Sequence, residues 1–293
     1  MPRASARTML VIAAVLWSTS GVLLKHLPAV HWLAIAGIRS AFGLIIFFPG
    51  FAQRRPPLPK LLAAVFLYLL LVSALMASMQ LGTAAQGIWL QYVAPALIAL
   101  WVWAVQKQRL RPAEVLAAAL TVLALVLIAT GGTGLAHRQS VAIGAIGGLG
   151  FGCFVLLLKN LGDIPPSSIF AWTNLGTAVI ILPLLPALHI PFPHAARDWW
   201  LLAAMGIGQL CLPYYFFKRG LVHVRAVEAS LIVLLEPILN PIWVYLFVRE
   251  LPGPRVLIGC GLIAVGLVAF ALSPREREAA QVSVTAQAPP TRD

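Results

Sequence analysis

Apolar runs of roughly 20 residues follow one another almost without pause from Thr8 to Leu272, and a run of that length, wound as a helix, crosses a hydrocarbon core of about 30 Å. The runs lie at 8–24, 31–49, 61–80, 85–105, 113–131, 140–158, 166–186, 199–217, 228–247 and 255–272, so the pattern predicts ten spans. Only Leu81-Gly82-Thr83 divides the third from the fourth, yet the two together are far too long to be one crossing helix. Strands of a membrane barrel alternate apolar and polar positions over about 10 residues. These runs stay apolar throughout, which excludes that class and predicts an all-α integral membrane protein.

Charge orients the spans. An even number leaves both ends on one side, and Lys and Arg concentrate on the cytoplasmic side. With both termini cytoplasmic, the inner segments hold fifteen of the 21 basic residues, including Arg3, Arg7, Arg54, Arg55, Lys60, Lys107, Arg109, Lys218 and Arg219. The outer segments hold five, namely Lys25, Arg138, Arg197, Arg249 and Arg255, and Arg39 falls inside a span. Removing one span would invert half the loops and destroy this bias. The net charge of +12 then reads as orientation and as affinity for anionic lipid headgroups of the bilayer, not as a nucleic-acid footprint.

Composition agrees, because 60% of residues are hydrophobic and 10% charged, where soluble domains carry about 25% charged residues. Cys153, Cys211 and Cys260 all fall in spans and read as small buried hydrophobes. The first span has a basic flank but no small-x-small cleavage site, so it is read as helix and not as a cleaved leader. From Pro274 onward, with Arg-Glu-Arg-Glu and Pro-Pro pieces, a disordered cytoplasmic tail is expected over 274–293.

The spans form two copies of one unit. A shift of 142 residues lays Pro95 on Pro237, Trp101 on Trp243, Val102 on Val244, Gln108 on Glu250 and Pro112 on Pro254 without a gap. A shift of 134 lays Leu24-Lys25-His26-Leu27 on Leu158-Lys159-Asn160-Leu161. The units are 1–136 and 137–273, five spans each. Five is odd, so the second copy enters the bilayer from the opposite side and the two form inverted repeats. That symmetry makes outward-open and inward-open states two versions of one packing, with a site near the midplane where the copies meet. It suits a carrier, although duplication also builds channels and inert scaffolds.

Leu16-Trp17-Ser18-Thr19-Ser20-Gly21 followed by Lys25, then Ile38-Arg39, Leu235-Glu236-Pro237, Glu250-Leu251 and the glycine-bearing last helix from Ile258 to Gly266 stand in order along the chain. On these pieces the chain resembles, over nearly its whole length, EamA-type members of the drug/metabolite transporter superfamily. Two departures stand out: Val105-Gln106-Lys107-Gln108-Arg109 lacks the acid that often ends the family's fourth helix, and Arg249 replaces the glycine that usually precedes the second-half Glu. The resemblance implies ten helices, alternating access and export of amino acids or related small metabolites across a bacterial-type inner membrane. A channel or a lipid scramblase-like permeation protein is the alternative.

The chemistry inside the spans is sparse. Glu236 sits about eight residues, roughly 12 Å, into a span entered from the cytoplasm, and Arg39 sits a similar distance in from the other face. Either the two pair structurally, or Glu236 faces a wet cavity and holds a substrate amine or a proton. Asn240 follows Glu236 by one turn on the same face. Pro237 and Pro241 remove backbone donors and bend the helix, and Pro95 is the first-copy counterpart of Pro237; all three are candidate gating prolines. Ala94 stands where Glu236 stands in the second copy, so the lining is asymmetric. Trp17, Ser18, Thr19 and Ser20, then Gln86, Trp89, Gln91 and Tyr92, then Trp172, Thr173 and Asn174, then Gln209, Tyr214 and Tyr215 are further substrate-path candidates. Each has helix-to-helix hydrogen bonding or interface packing as a competing role. Gly144, Gly148 and Gly152 place three bare patches on one helix face, for close packing against the partner repeat or a second protomer; monomer and homodimer both stay open.

Enzymatic chemistry lacks its parts. All six histidines, His26, His31, His137, His189, His194 and His223, map to loops or helix ends, which leaves no base inside a span. No HExxH pair and no Walker A loop occurs, so no metal, cofactor or ATP-driven step is expected. One central Arg suits a neutral or zwitterionic substrate better than a phosphorylated one, which needs several cations.

Overall fold

In the computed structural model, residues 3–93, 103–104, 107, 109, 112–161, 164–221, 223–224, 229 and 232–271 are described. The expected tail, Pro95 and most of the second half of the fourth run lie outside them. The described residues are helical and contain no strand: α1 (Arg3–Ser18), α2 (Ser20–Lys25), α3 (Trp32–Phe47) continued by a 3-10 turn (Phe48–Ala52), α4 (Leu58–Leu81), α5 (Ala84–Gln91), α6 (Pro112–Ala129), α7 (Leu135–Lys159), α8 (Pro166–Ala187), α9 (Ala196–Ala203), a π segment (Ala204–Cys211), α10 (Leu212–Leu221), α11 (Leu235–Val248) and α12 (Pro254–Ala271). Among these residues six continuous helical stretches are long and apolar enough to cross a membrane: Ala4–Lys25, Trp32–Ala52, Leu58–Leu81, Leu135–Leu158, Pro166–Ala187 and Ala196–Leu221.

Helix ends follow local chemistry. His31 caps α3 by accepting from the Leu33 N–H through Nδ1 at 3.2 Å, and Thr83 caps α5 by accepting from the Gln86 N–H at 3.1 Å, each satisfying one orphan donor of a first turn. Proline occupies the first helical positions of α4 and α8, where its fixed φ helps and its missing N–H costs nothing. At the C-terminus of α11, Arg249 takes the left-handed conformation, φ 63°. Glycine favours that conformation, so the departure from the family pattern carries local strain, and the Arg249 guanidinium lies over the Tyr245 ring at 5.7 Å.

Packing joins the first half of the chain to the second. α1 lies against α10, α3 against α8, α4 against α7, α5 against α11 and α6 against α12. Small residues let these helices approach. A Cβ on Gly148 would collide with the Leu90 carbonyl, and one on Gly144 would meet Ser78 Oγ at 2.7 Å as well as the Leu90 side chain. Gly152 is buried on the same helix. Gly144 and Gly148 therefore lie against α4 and α5 of this chain. Hydrogen bonds pin the contact: Ser78 Oγ donates to the Ser140 carbonyl at 2.9 Å, Ser140 Oγ donates to the Ser78 carbonyl at 2.7 Å, and Gln86 Nε2 donates to Ser140 Oγ at 2.8 Å.

Gly148→Val forces backbone apart at a close crossing and is expected to destabilise the fold by about 1–3 kcal/mol. Gly261→Ala in α12, where an added Cβ meets nothing within 4 Å, is expected to leave the melting temperature unchanged or slightly raised. Thermal unfolding of the detergent-solubilised chain checks both.

Candidate functional site

The first spanning helix is irregular at Thr19, where a one-residue turn separates α1 from α2. Three hydroxyl residues, Ser18-Thr19-Ser20, stand at its middle, and their side chains compete with the backbone ladder: Ser18 Oγ donates to the Val15 carbonyl and Thr19 Oγ1 to the Leu16 carbonyl, both at 2.7 Å. A turn at this depth leaves carbonyls that lipid cannot satisfy, and the second half of the chain supplies the donors. Gln209 Nε2 donates to the Trp17 carbonyl at 3.2 Å, Asn240 Nδ2 to the Ser18 carbonyl at 3.0 Å and to Ser20 Oγ at 3.1 Å, and Trp243 Nε1 to Ser18 Oγ at 2.9 Å. Asn240 is thus turned to the first helix, although it shares a face with Glu236.

The run expected over 199–217 holds a second irregularity. Residues 204–211 wind as a π segment, a form that recurs at functional positions within helices. It brings Gly206 against the Arg39 carbonyl and carries Gln209. A third irregularity concerns α11, which starts at Leu235 after a turn at Leu234, so Glu236 stands in its first turn and not in mid-helix as the sequence suggests. A helix N-terminus favours an anion. Pro237 also falls in that first turn, where its missing donor breaks no intrahelical bond; Pro241 is interior and leaves the Pro237 carbonyl free.

Between these elements lies a cavity of about 280 Å³. Trp17, Arg39, Gln91, Tyr92, Gln209, Tyr214 and Glu236, all named from the sequence, line it, as does Ser20. Its remaining wall is aliphatic and aromatic, with Leu71, Val72, Leu75 and Ile88 on one side and Tyr68, Phe151, Leu210, Phe217 and Val233 completing it. Trp17 meets Tyr214 edge-on at 5.1 Å, and Tyr214 lies 4.3 Å from Phe170. Tyr68, Phe151 and Phe217 were not anticipated. Tyr68, a lone phenol within the apolar run of α4, was the available signal.

The other residues named from the sequence are not among those that line the cavity. Ser18 and Thr19 stand at the turn between α1 and α2. Gln86 belongs to the Ser78 and Ser140 clamp, Trp89 is buried next to Tyr92 with ring centroids 6.1 Å apart, and Trp172 meets Phe51 edge-on at 5.1 Å. Asn174 accepts from Tyr68 Oη at 3.3 Å and donates to the Phe170 carbonyl at 2.8 Å, thereby orienting a lining phenol.

The two charges of the cavity stay apart. Arg39 is 2% exposed, its Nη1 approaches Met76 Sδ at 3.5 Å, and its Nε has no hydrogen-bond partner. Among the described residues no carboxylate lies within 4 Å of its guanidinium, so the structural ion pair with Glu236 is not formed. Glu236 instead accepts from Tyr92 Oη at 2.9 Å, a contact between α11 of the second half and the end of α5 in the first. A buried charge without a counter-ion is costly inside a membrane bundle. One cavity thus offers a cation on α3, an acid on α11 and an apolar wall between them.

Apolar helices of membrane-spanning length packed around a cavity that holds Arg39 and Glu236 define a multi-pass membrane protein. The comparisons with known proteins give its class as a transporter. Matches to the EamA-like transporter family cover residues 5–130 and again 139–272, and the chain belongs to that family. It is 26% identical to the uncharacterized transporter YwfM of Bacillus subtilis (strain 168) over 192 residues, an alignment that spans 65% of this chain and 65% of that relative, less than two thirds of its length. An uncharacterized transporter of Archaeoglobus fulgidus is 24% identical over 263 residues, 88% of this chain and 93% of the relative. A crystal structure covering 92% of this chain and 98% of its own matches with a TM-score of 0.64 at 21% identity, which speaks for the fold alone.

Proposed function

We propose that the chain is a secondary carrier that exports an amino acid, or a related zwitterion with an apolar side chain, by alternating access of two inverted five-span repeats. The observation that carries the reading is the pair of charges in one cavity, Arg39 and Glu236, neither neutralised by the other. A zwitterion supplies both missing partners: its carboxylate to the guanidinium, its ammonium to the acid. The apolar and aromatic wall accommodates a side chain, and about 280 Å³ lies just below the roughly 300–1,000 Å³ of drug-sized sites. A phosphorylated metabolite would leave most of its charge unmatched at a single Arg.

Two observations support the inverted repeat. The family matches the two halves separately. The pairing of helices also survives exchange of the halves: α1 on α10 becomes α7 on α4, while α3 on α8, α5 on α11 and α6 on α12 map onto themselves. The distribution of basic residues supports cytoplasmic termini in an inner membrane.

Counterflow in proteoliposomes tests the function. Preloaded unlabelled amino acid is expected to drive transient accumulation of labelled amino acid, saturably and with competition by apolar amino acids above sugars and nucleosides. Unsaturable flux without counterflow would mean a channel, and lipid flip without solute flux a scramblase.

A further inference from the structure

Away from the cavity, one ion pair ties the halves together at a single end of the bundle. Lys25, the last residue of α2, places Nζ 2.6 Å from Glu250 Oε2. The same ammonium donates to the Gly82 carbonyl at 2.8 Å, and the other carboxylate oxygen, Oε1, accepts from the Ala84 N–H at 2.8 Å. Each charge is therefore bonded both to the other and to the α4–α5 turn, with side chains only 17% and 19% exposed. Such charge-assisted contacts with restricted water access are stronger than a surface ion pair.

Its position relative to the cavity gives the pair a task. Lys25 lies five residues beyond the lining residue Ser20, about 7 Å along the helix, and Ala84 lies four residues before the lining residue Ile88, about 6 Å. The helices between are closely packed at Gly21. A Cβ on Gly21 would meet Asn240 Oδ1 at 2.7 Å, Val244 at 2.8 Å and Ala84 at 2.9 Å. In the other direction the lining runs to Phe217 in the last turns of α10 and to Val233 before α11. The cavity is thus shut at the end that carries the ion pair.

We propose that Lys25 and Glu250, with Gly82 and Ala84, form the latch of one gate of the carrier, which must open for the cavity to reach that face. The proposal rests on the two-repeat, alternating-access reading. It assigns the second-half acid a role even though Arg249 stands before it in place of glycine: Arg249 turns the chain in the left-handed conformation at the end of α11, and Glu250 follows directly.

The test needs no substrate, so its failure is separable from failure of the zwitterion reading. In a chain with Cys153, Cys211 and Cys260 replaced by alanine, Leu75→Cys puts a reporter thiol in the cavity wall, to be labelled with a membrane-impermeant maleimide from either face of oriented proteoliposomes. Glu250→Gln keeps an acceptor for the Ala84 N–H but removes the charge, and Lys25→Met removes the other. Each is expected to speed labelling about ten-fold from one face only, as a gate shifted toward opening requires. Lys25→Arg is expected to keep it slow, and the double variant Lys25→Met/Glu250→Gln to label no faster than the faster single variant. Unchanged rates in both single variants overturn the latch. So does an equal rise from both faces, which would mark the pair as a brace of the whole fold.

Discussion

Arg39→Met is expected to abolish amino-acid binding while raising the melting temperature of the empty protein. The guanidinium is buried, lacks a carboxylate partner among the described residues and leaves Nε unbonded, so the resting protein carries its desolvation cost without return. Methionine has similar length, suits an apolar surround and removes that cost. The ligand carboxylate, however, loses charge-assisted hydrogen bonds of about 1.5–3 kcal/mol each, which for two bonds exceeds a hundred-fold in affinity. A purely structural arginine would behave oppositely, and its removal would lower the melting temperature. Thermal unfolding with and without amino acid gives both quantities from one sample.

Glu236→Gln is expected to weaken amino-acid binding about 10- to 100-fold, the worth of one hydrogen bond to a charged group, without unfolding the protein. Glutamine still offers an oxygen to Tyr92 Oη, now 2.9 Å from the carboxylate, so the contact across the seam survives and only the charge is lost. The same variant separates recognition from coupling. If Glu236 also carries the proton, wild-type proteoliposomes concentrate amino acid under an imposed pH gradient whereas the variant merely equilibrates it at saturating concentration. Equal accumulation by both would end the proton role and leave exchange or uniport.

The spacing of apolar runs located the helices well, because membrane burial writes length and composition directly into sequence. It could not locate the irregularities. Ser18-Thr19-Ser20 reads as three small residues within an apolar run; what interrupts the helix is side-chain competition combined with donors from Gln209, Asn240 and Trp243, nearly two hundred residues or more away. The π segment at 204–211 likewise follows from tertiary packing, with Gly206 pressed on the Arg39 carbonyl. At the site, Arg39 and Glu236 were legible because charge is rare inside a span. Whether they paired was not, since that depends on side-chain reach across three packed helices. Helical spacing put Asn240 with Glu236, and the structure turned it to the first helix instead. Glu250 drew no role from sequence, because its partners Lys25 and Ala84 stand on two other elements.

The most direct measurement pits the two ends of the ligand against the two charges of the cavity. The amino acid that competes best in counterflow, its carboxamide and its deaminated acid would each be titrated against wild type, Arg39→Met and Glu236→Gln. The expected result is a crossed pattern: Arg39→Met loses affinity for the amino acid and the deaminated acid but not for the carboxamide, and Glu236→Gln loses affinity for the amino acid and the carboxamide but not for the deaminated acid. Equal losses for all three ligands in both variants, or none, would contradict a zwitterion held between Arg39 and Glu236.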